Sequence, residues 1–180
     1  MPEGIEIRHL AEIGEREVRE LGNVLIDCVD GGASVSFMHP MTREKADAFW
    51  RGVAGFARSG EWLVVVAEIG GRIVGTVSIV WAVPENQPHR ADLTKMLVHR
   101  SARRAGAGAA LLAAAERVAL DAGRTLLVLD TVTDTDAYRL YVRSGWQRCG
   151  EIPDYALWPD GRPCPTTVFY KHLAQKAAKQ

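Results

Sequence analysis

The chain has 180 residues, 22 of them basic and 22 acidic, so its formal net charge is zero. This length is typical of one domain, and the balanced charge argues against nucleic acid or an anionic membrane as partner. The apolar runs are too short to span a membrane and the charged opening does not resemble a signal peptide, so we expect a cytoplasmic protein.

The first half of the chain predicts one strand, then two helices, then an antiparallel pair of strands. The predicted elements are a strand over 4–10, a helix over 15–29, a helix from Thr42 to near Gly60, and a hairpin of strands 61–69 and 72–83. The hairpin prediction rests on Gly70 and Gly71, which separate two β-branched runs.

The second half repeats a strand-helix pattern and then closes with two strands. Its predicted elements are strands 90–98 and 124–132, helices 105–122 and 135–143, and a strand pair 146–152 and 166–173 around a turn at 159–161. This order predicts an α/β (mixed α+β) fold, with a mixed sheet and helices on both faces. We expect one domain over 1–173 and a disordered tail over 174–180.

The three cysteines and five histidines carry no sign of a metal site or disulfide framework. Cys28, Cys149 and Cys164 are widely spaced and odd in number, so we expect three buried free thiols. No two histidines stand at metal-ligand spacing, and we predict no metal.

Residues 103–108, Arg-Arg-Ala-Gly-Ala-Gly, follow the predicted strand 90–98 and include the start of the predicted helix 105–122. Unpaired backbone N–H groups and the positive end of the helix dipole make a helix N-terminus an anion site. Gly106 and Gly108 would let a phosphate approach these groups, and Arg103 and Arg104 add cationic donors. The alternative is a solvated turn with two surface arginines.

Two familiar nucleotide motifs fit this stretch poorly. A P-loop needs a Gly-Lys dipeptide, which the chain lacks. A dinucleotide fingerprint needs a third glycine where Leu111 stands, although Asp130 would fit its acidic position. The dinucleotide site remains a weaker alternative.

The pattern R/Q-x-x-G-x-G/A is matched by residues 103–108, and the later segment 134–146 (DTDAYRLYVRSGW) resembles N-x-x-A-x-x-L-Y-x-x-x-G-F. Together these motifs resemble the GNAT superfamily of N-acetyltransferases. The resemblance implies a central, mixed, mostly antiparallel twisted sheet of six to seven strands flanked by about four helices, with acetyl-coenzyme A (acetyl-CoA) as co-substrate. The chain looks most like the subgroup of small antibiotic and amino-acid acetyltransferases that includes the tabtoxin resistance protein.

The resemblance also implies which residues hold the cofactor. They are Met96, Leu97, Val98, Arg103, Arg104, Ala105, Gly106, Ala107, Gly108, Ala109, Asp134, Ala137 and Tyr141. Two of them depart from the family pattern: Arg104 stands where glycine is frequent, and Asp134 where asparagine is frequent. The alternative role for Asp134 is to cap the helix that follows.

Three residues are candidates for the chemistry of acetyl transfer. Tyr141 matches the family's tyrosine near the thioester sulfur and would donate a proton to the leaving thiolate, with a packed aromatic as the alternative and Tyr138 as substitute. Asp130, at the end of a strand, and Asp92 would accept the amine's proton or anchor an ammonium group. Asp92 could equally be a surface acid.

The sequence therefore predicts an acetyl-CoA-dependent N-acetyltransferase acting on a small amine, such as an antibiotic or antimetabolite. Two alternatives stay open: a protein N-terminal or lysine acetyltransferase, and a CoA-binding sensor module without turnover. The closing strands and the loop 155–163 (YALWPDGRP) between them could form a homodimer contact.

Overall fold

The computed structural model describes residues 4–173, which form one seven-stranded sheet with helices on both faces. The strands are β1 (Glu6–His9), β2 (Trp62–Ile69), β3 (Arg72–Trp81), β4 (Arg90–Val98), β5 (Leu126–Val132), β6 (Gln147–Leu157) and β7 (Pro163–His172). The α-helices are α1 (Glu15–Asp30), α2 (Arg43–Arg58), α3 (Ala107–Asp121) and α4 (Asp136–Arg143).

The sheet order is β1-β2-β3-β4-β5-β7-β6. Every neighbouring pair is antiparallel except β4 and β5, which are parallel. The mixed, mostly antiparallel sheet and the four helices confirm the predicted fold class.

Local sequence signals explain several element boundaries. The turn between β2 and β3 contains Gly70 and Gly71 at φ angles of 58° and 73°, a conformation that favours glycine. The Thr42 hydroxyl accepts a hydrogen bond from the Lys45 N–H at 3.3 Å and so caps α2.

The sheet separates two apolar cores. On one face, α1 and α2 pack around residues such as Leu21, Leu25 and Trp50. On the other face, α3 and α4 pack around Leu111 and Phe169, among others. Because each face of the sheet is covered by helices, the central strands read as nearly continuous apolar runs rather than alternating ones.

The last hairpin is longer than predicted. Trp158 N–H donates to the Arg162 carbonyl at 2.8 Å and closes a tight turn, so β6 and β7 extend to Leu157 and Pro163 on either side of it. Strand β6 is an edge strand exposed on both faces, which leaves no alternation in its sequence to mark its extent. Cys149 lies on this strand and is exposed, so the prediction of three buried thiols is wrong there, although Cys28 and Cys164 are buried.

Helix α3 begins two residues later than predicted, because Gly106 forms its N-cap and a turn of 3-10 helix at Arg100–Ala102 precedes it. No helix within residues 4–173 has the length and apolarity needed to cross a membrane. The tail predicted over 174–180 lies outside the described residues.

Candidate active site

The parallel strands β4 and β5 part shortly after they begin. They pair only from Arg90–Asp92 to Leu126–Val128, and β5 continues to Val132 in register with β7 alone. A cavity of about 1300 Å³ opens between the diverging ends and reaches the first turns of α3 and α4. The main chain of β4 beyond Asp92 therefore borders the cavity without a β5 partner.

One end of this cavity, the donor end, is the N-terminus of α3 together with Arg103 and Arg104. Gly106 has a φ of 86° and supplies no side-chain cap, so the first-turn N–H groups lack acceptors within the helix. Arg104 also lies in the left-handed region, at a φ of 62°. Glycine adopts this conformation most easily, which is consistent with the frequent glycine at this position in the family that the sequence resembles.

Gly108 has a packing role that the sequence did not reveal. A β-carbon at this position would lie 3.1 Å from Cδ2 of Leu140 on α4, tighter than ordinary contact. The missing side chain therefore brings α3 and α4 together at the mouth of the cavity, in addition to baring the first helical turn.

Asp27, near the end of α1, anchors the segment that leads into the donor end. Its side chain is 8% exposed, accepts a hydrogen bond from the Arg100 N–H at 2.9 Å and pairs with the Arg100 guanidinium. Arg103 lies 3.9 Å from the same carboxylate and donates through Nε to the Val98 carbonyl at 3.2 Å. Sequence reasoning missed Asp27, whose only signal is an acid on the apolar side of an amphipathic helix.

All of the predicted cofactor residues line the cavity except Ala105 and Asp134. Asp134 is exposed, and its carbonyl accepts from Arg139 at 2.8 Å. The alternative role of Asp134 as the cap of the next helix is wrong, because Thr135 is the N-cap and its hydroxyl accepts from the Tyr138 N–H at 3.2 Å. Asp136, in the first turn of α4, lines the cavity instead.

Tyr141 lies in the wall of the cavity with 4% of its surface exposed. Burial raises the pKa of its phenol well above the ordinary value, and the negative charge of Asp130 raises it further. The side chain is therefore a neutral O–H donor at physiological pH. Tyr138, the predicted substitute, packs edge-on against Phe169 with ring centroids 5.2 Å apart and does not line the cavity.

The two candidate bases are in different settings. Asp130 lines the large cavity, and partial burial raises the pKa of its carboxyl, with the charge of Lys95 opposing that rise. Asp92 lies where β4 and β5 are still paired and forms an ion pair with Arg90 at 2.5 Å. It borders a smaller adjoining cavity of about 390 Å³, which Asp130 also lines.

Lys95 is a cavity residue that sequence reasoning missed. Strand β4 has an extra residue between Thr94, opposite Ser78, and Leu97, opposite Thr76, and Lys95 there has a φ of 52°. Its Nζ donates to the Ser36 hydroxyl at 3.2 Å and lies 5.7 Å from the ring centre of Phe49. Burial lowers the pKa of its ammonium, and the charge of Asp130 opposes this. The only signal was a lysine inside a largely apolar strand.

These groups fit acetyl-CoA, the co-substrate that the sequence resemblance implies. The unpaired N–H groups of α3 and the two arginines suit its phosphates, and the unpaired edge of β4 suits its amide-bearing arm. Among residues 4–173, no three His, Cys, Asp or Glu side chains are grouped so as to hold a metal ion.

Comparison with known proteins agrees with this geometry. The family model described as the Acetyltransferase (GNAT) family matches residues 31–146. Protein yncA of Salmonella typhimurium, described as an acetyltransferase and solved with acetyl-CoA, superposes with a TM-score of 0.76 at 18% identity, over 98% of each chain.

Two further solved structures show how widely this architecture is used. A ribosomal-protein-alanine N-acetyltransferase from Brucella melitensis has a TM-score of 0.76 and 24% identity, over 93% of this chain and 99% of that one. A protein described as a phosphinothricin N-acetyltransferase has a TM-score of 0.77 and 17% identity, over 95% and 99%. At such identities the likeness extends to the fold and leaves the acceptor open.

Proposed function

This chain belongs to the GNAT family of acetyltransferases and is an acetyl-CoA-dependent N-acetyltransferase, and we propose that its acceptor is the amine of a small molecule. The observation that carries the proposal is that one cavity, between β4 and β5, brings the candidate catalytic groups and the anion site together. It holds a buried phenol, Tyr141, and a carboxylate, Asp130, and it continues to the N-terminus of α3. A proton donor, a proton acceptor and an anion site thus border one space.

Acetyl-CoA supplies a thioester, whose C–S bond breaks as a bond forms between the acceptor nitrogen and the carbonyl carbon. An alkylamine arrives mainly as an ammonium ion at pH 7, because its pKa is near that of lysine, about 10.4. It must lose two protons to become an amide. Asp130 holds the ammonium group and takes these protons in turn, directly or through water, and passes them to solvent.

Tyr141 acts on the leaving group in this proposal. The sulfur departs with the electron pair of the C–S bond, and the phenol donates its proton to give the free thiol. Tyr141 regains one proton from solvent, so each turnover releases one net proton. Asp92 is assigned a supporting role, since its charge raises the pKa of Asp130 from the adjoining cavity.

The segment after α1 favours a small acceptor over a polypeptide. Ser34 donates through its hydroxyl to the Leu157 carbonyl at 2.7 Å, and the His39 N–H donates to the Pro159 carbonyl at 3.1 Å. These bonds tie the segment to β6 and its turn across one side of the cavity. A closed side suits a compact amine, for example an antibiotic or antimetabolite, better than an extended chain.

An acceptor screen tests the proposal. The protein is incubated with acetyl-CoA and with either small amines or peptides bearing a free N-terminus or lysine, and thiol release and product mass are measured. We expect acetylated small amines. Acetylation of peptides alone would instead favour the protein acetyltransferase, and binding of acetyl-CoA without any product would favour the sensor module.

A further inference from the structure

The half of the cavity away from α3, its acceptor end, carries two opposite charges. It is bordered by Lys95 and Asp130 and by residues 33–38 and 155–158. The two charged groups affect each other's pKa but do not form an ion pair. A space bounded by one cation and one anion is thus left between them.

Lys95 is held in place without an anionic partner among residues 4–173. In the part of the chain that the structure describes, its Nζ donates one hydrogen bond, to the Ser36 hydroxyl, lies over the face of Phe49 and pairs with no carboxylate. A partly buried cation without a counterion is costly unless a ligand supplies the opposite charge. The extra residue in β4 interrupts its pairing with β3, and Lys95 takes a left-handed backbone conformation there. Its side chain extends from this irregular point to Ser36.

The hydroxyl of Ser36 is suited to the same ligand. It accepts the hydrogen bond from Lys95, so its own hydrogen remains available to donate to an anion. The phosphates of acetyl-CoA already have Arg103, Arg104 and the first turn of α3 at the donor end. Lys95 lies instead beside the segment between α1 and α2.

We propose that the acceptor is a zwitterion of the α-amino acid type, whose anionic group binds Lys95 and Ser36 while its ammonium group binds Asp130. This inference rests on the proposed function and narrows its substrate class. A plain cationic amine would satisfy Asp130 and leave Lys95 without a counterion.

The test compares common L-α-amino acids with their carboxamides in steady-state kinetics. Each pair shares the amine and the side chain and differs in the negative charge. The carboxylate favours the charged ammonium, so the comparison is biased toward the amides and against the proposal. The variants are Lys95→Met, Lys95→Arg as the charge-retaining change, and Lys45→Met as control, because Lys45 is exposed and outside the cavity.

We expect kcat/KM to favour the preferred amino acid over its amide by about tenfold to a hundredfold, the range of a charged hydrogen bond. Lys95→Met should remove this preference by raising KM for the acid alone, with the stabilisation by acetyl-CoA unchanged. Lys95→Arg should retain part of the preference, and Lys45→Met all of it.

Equal or faster reaction of the amides, or a preference that survives in Lys95→Met, would overturn the inference. If plain amines are acetylated and amino acids are not, the inference fails while the proposed function stands. If no small amine, amide or amino acid gives a product, the proposed function fails and this inference fails with it.

Discussion

The two ends of the cavity are built in different ways. The donor end consists largely of main chain: the first turn of α3, the segment before it and the free edge of β4, with two arginines beside them. The acceptor end consists of side chains from distant parts of the chain, among them Ser36, Lys95, Asp130 and Tyr155. Main-chain binding suits a ligand that every member of a fold shares, whereas side chains can change with each acceptor.

The largest expected effect lies between the two ends, at Tyr141. Tyr141→Phe removes only the O–H and should lower kcat by about a hundredfold or more, the usual contribution of a general acid. The KM for acetyl-CoA and for the acceptor should hardly change. Steady-state kinetics measure kcat and both KM values, each substrate being varied while the other is saturating, with Tyr138→Phe as the matched control. Unchanged kcat would remove Tyr141 from the acid role.

A smaller effect is expected from Asp27, which supports the donor end. Asp27→Asn weakens the pairing with Arg100 and loosens Arg103, so we expect the free energy of unfolding to fall by about 1–2 kcal/mol. The Kd for acetyl-CoA should rise by about tenfold, equivalent to roughly 1.4 kcal/mol, with acceptor KM unchanged.

Denaturant unfolding and calorimetric titration measure these two changes. Asp30→Asn serves as control, because Asp30 is exposed at the same helix end and, within residues 4–173, forms an ion-pair contact only with His39, at 3.8 Å. Tighter binding of acetyl-CoA by Asp27→Asn would show that the charge of Asp27 repels the phosphates more than its contacts orient the loop.

Substitutions at Arg104, in the donor end, separate the effect of its charge on acetyl-CoA binding from the effect of its backbone conformation on stability. Arg104→Gly and Arg104→Ala both remove the cation and should weaken acetyl-CoA binding equally, by a few-fold. Because Arg104 has a φ of 62°, the glycine variant should be more stable than the alanine variant by about 1 kcal/mol. Equal melting temperatures of the two variants would contradict this account of the loop.

The smallest effect concerns the pH dependence at the acceptor end. In the proposed mechanism Asp130 acts as a carboxylate, so kcat/KM for the acceptor should fall as pH drops through a pKa above the usual aspartate value of about 3.9. Lys95 lowers the pKa of Asp130 and Asp92 raises it. Lys95→Met should therefore move the acidic limb to higher pH and Asp92→Asn to lower pH. A limb that persists in Asp130→Asn would belong to another group.

The contrast between local main-chain features and side chains from distant parts of the chain also explains how much of the molecule can be predicted from its sequence. The hairpin at Gly70 and Gly71, the cap at Thr42 and the anion site at 103–108 are local patterns, and the structure has the turn, the cap and the bare helix N-terminus there. Strand β6 was underestimated because an exposed edge strand needs no alternation.

Lys95 and Asp27 escaped prediction for a different reason. Their roles depend on contacts with Ser36 and Arg100, which lie 59 and 73 residues away along the chain. No rule of sequence spacing predicts contacts between residues so far apart. The divergence of β4 from β5 and the extra residue in β4 bring together the side chains at the acceptor end of the cavity.

The most direct test of the division of the cavity is a paired measurement on Arg103→Ala and Lys95→Met, in which the Kd for acetyl-CoA and the KM for the acceptor are determined for both. The account predicts that Arg103→Ala weakens acetyl-CoA binding by about tenfold and spares the acceptor, and that Lys95→Met does the reverse. If Lys95→Met weakens acetyl-CoA binding as much as acceptor binding, Lys95 serves the donor and the two ends are not separate.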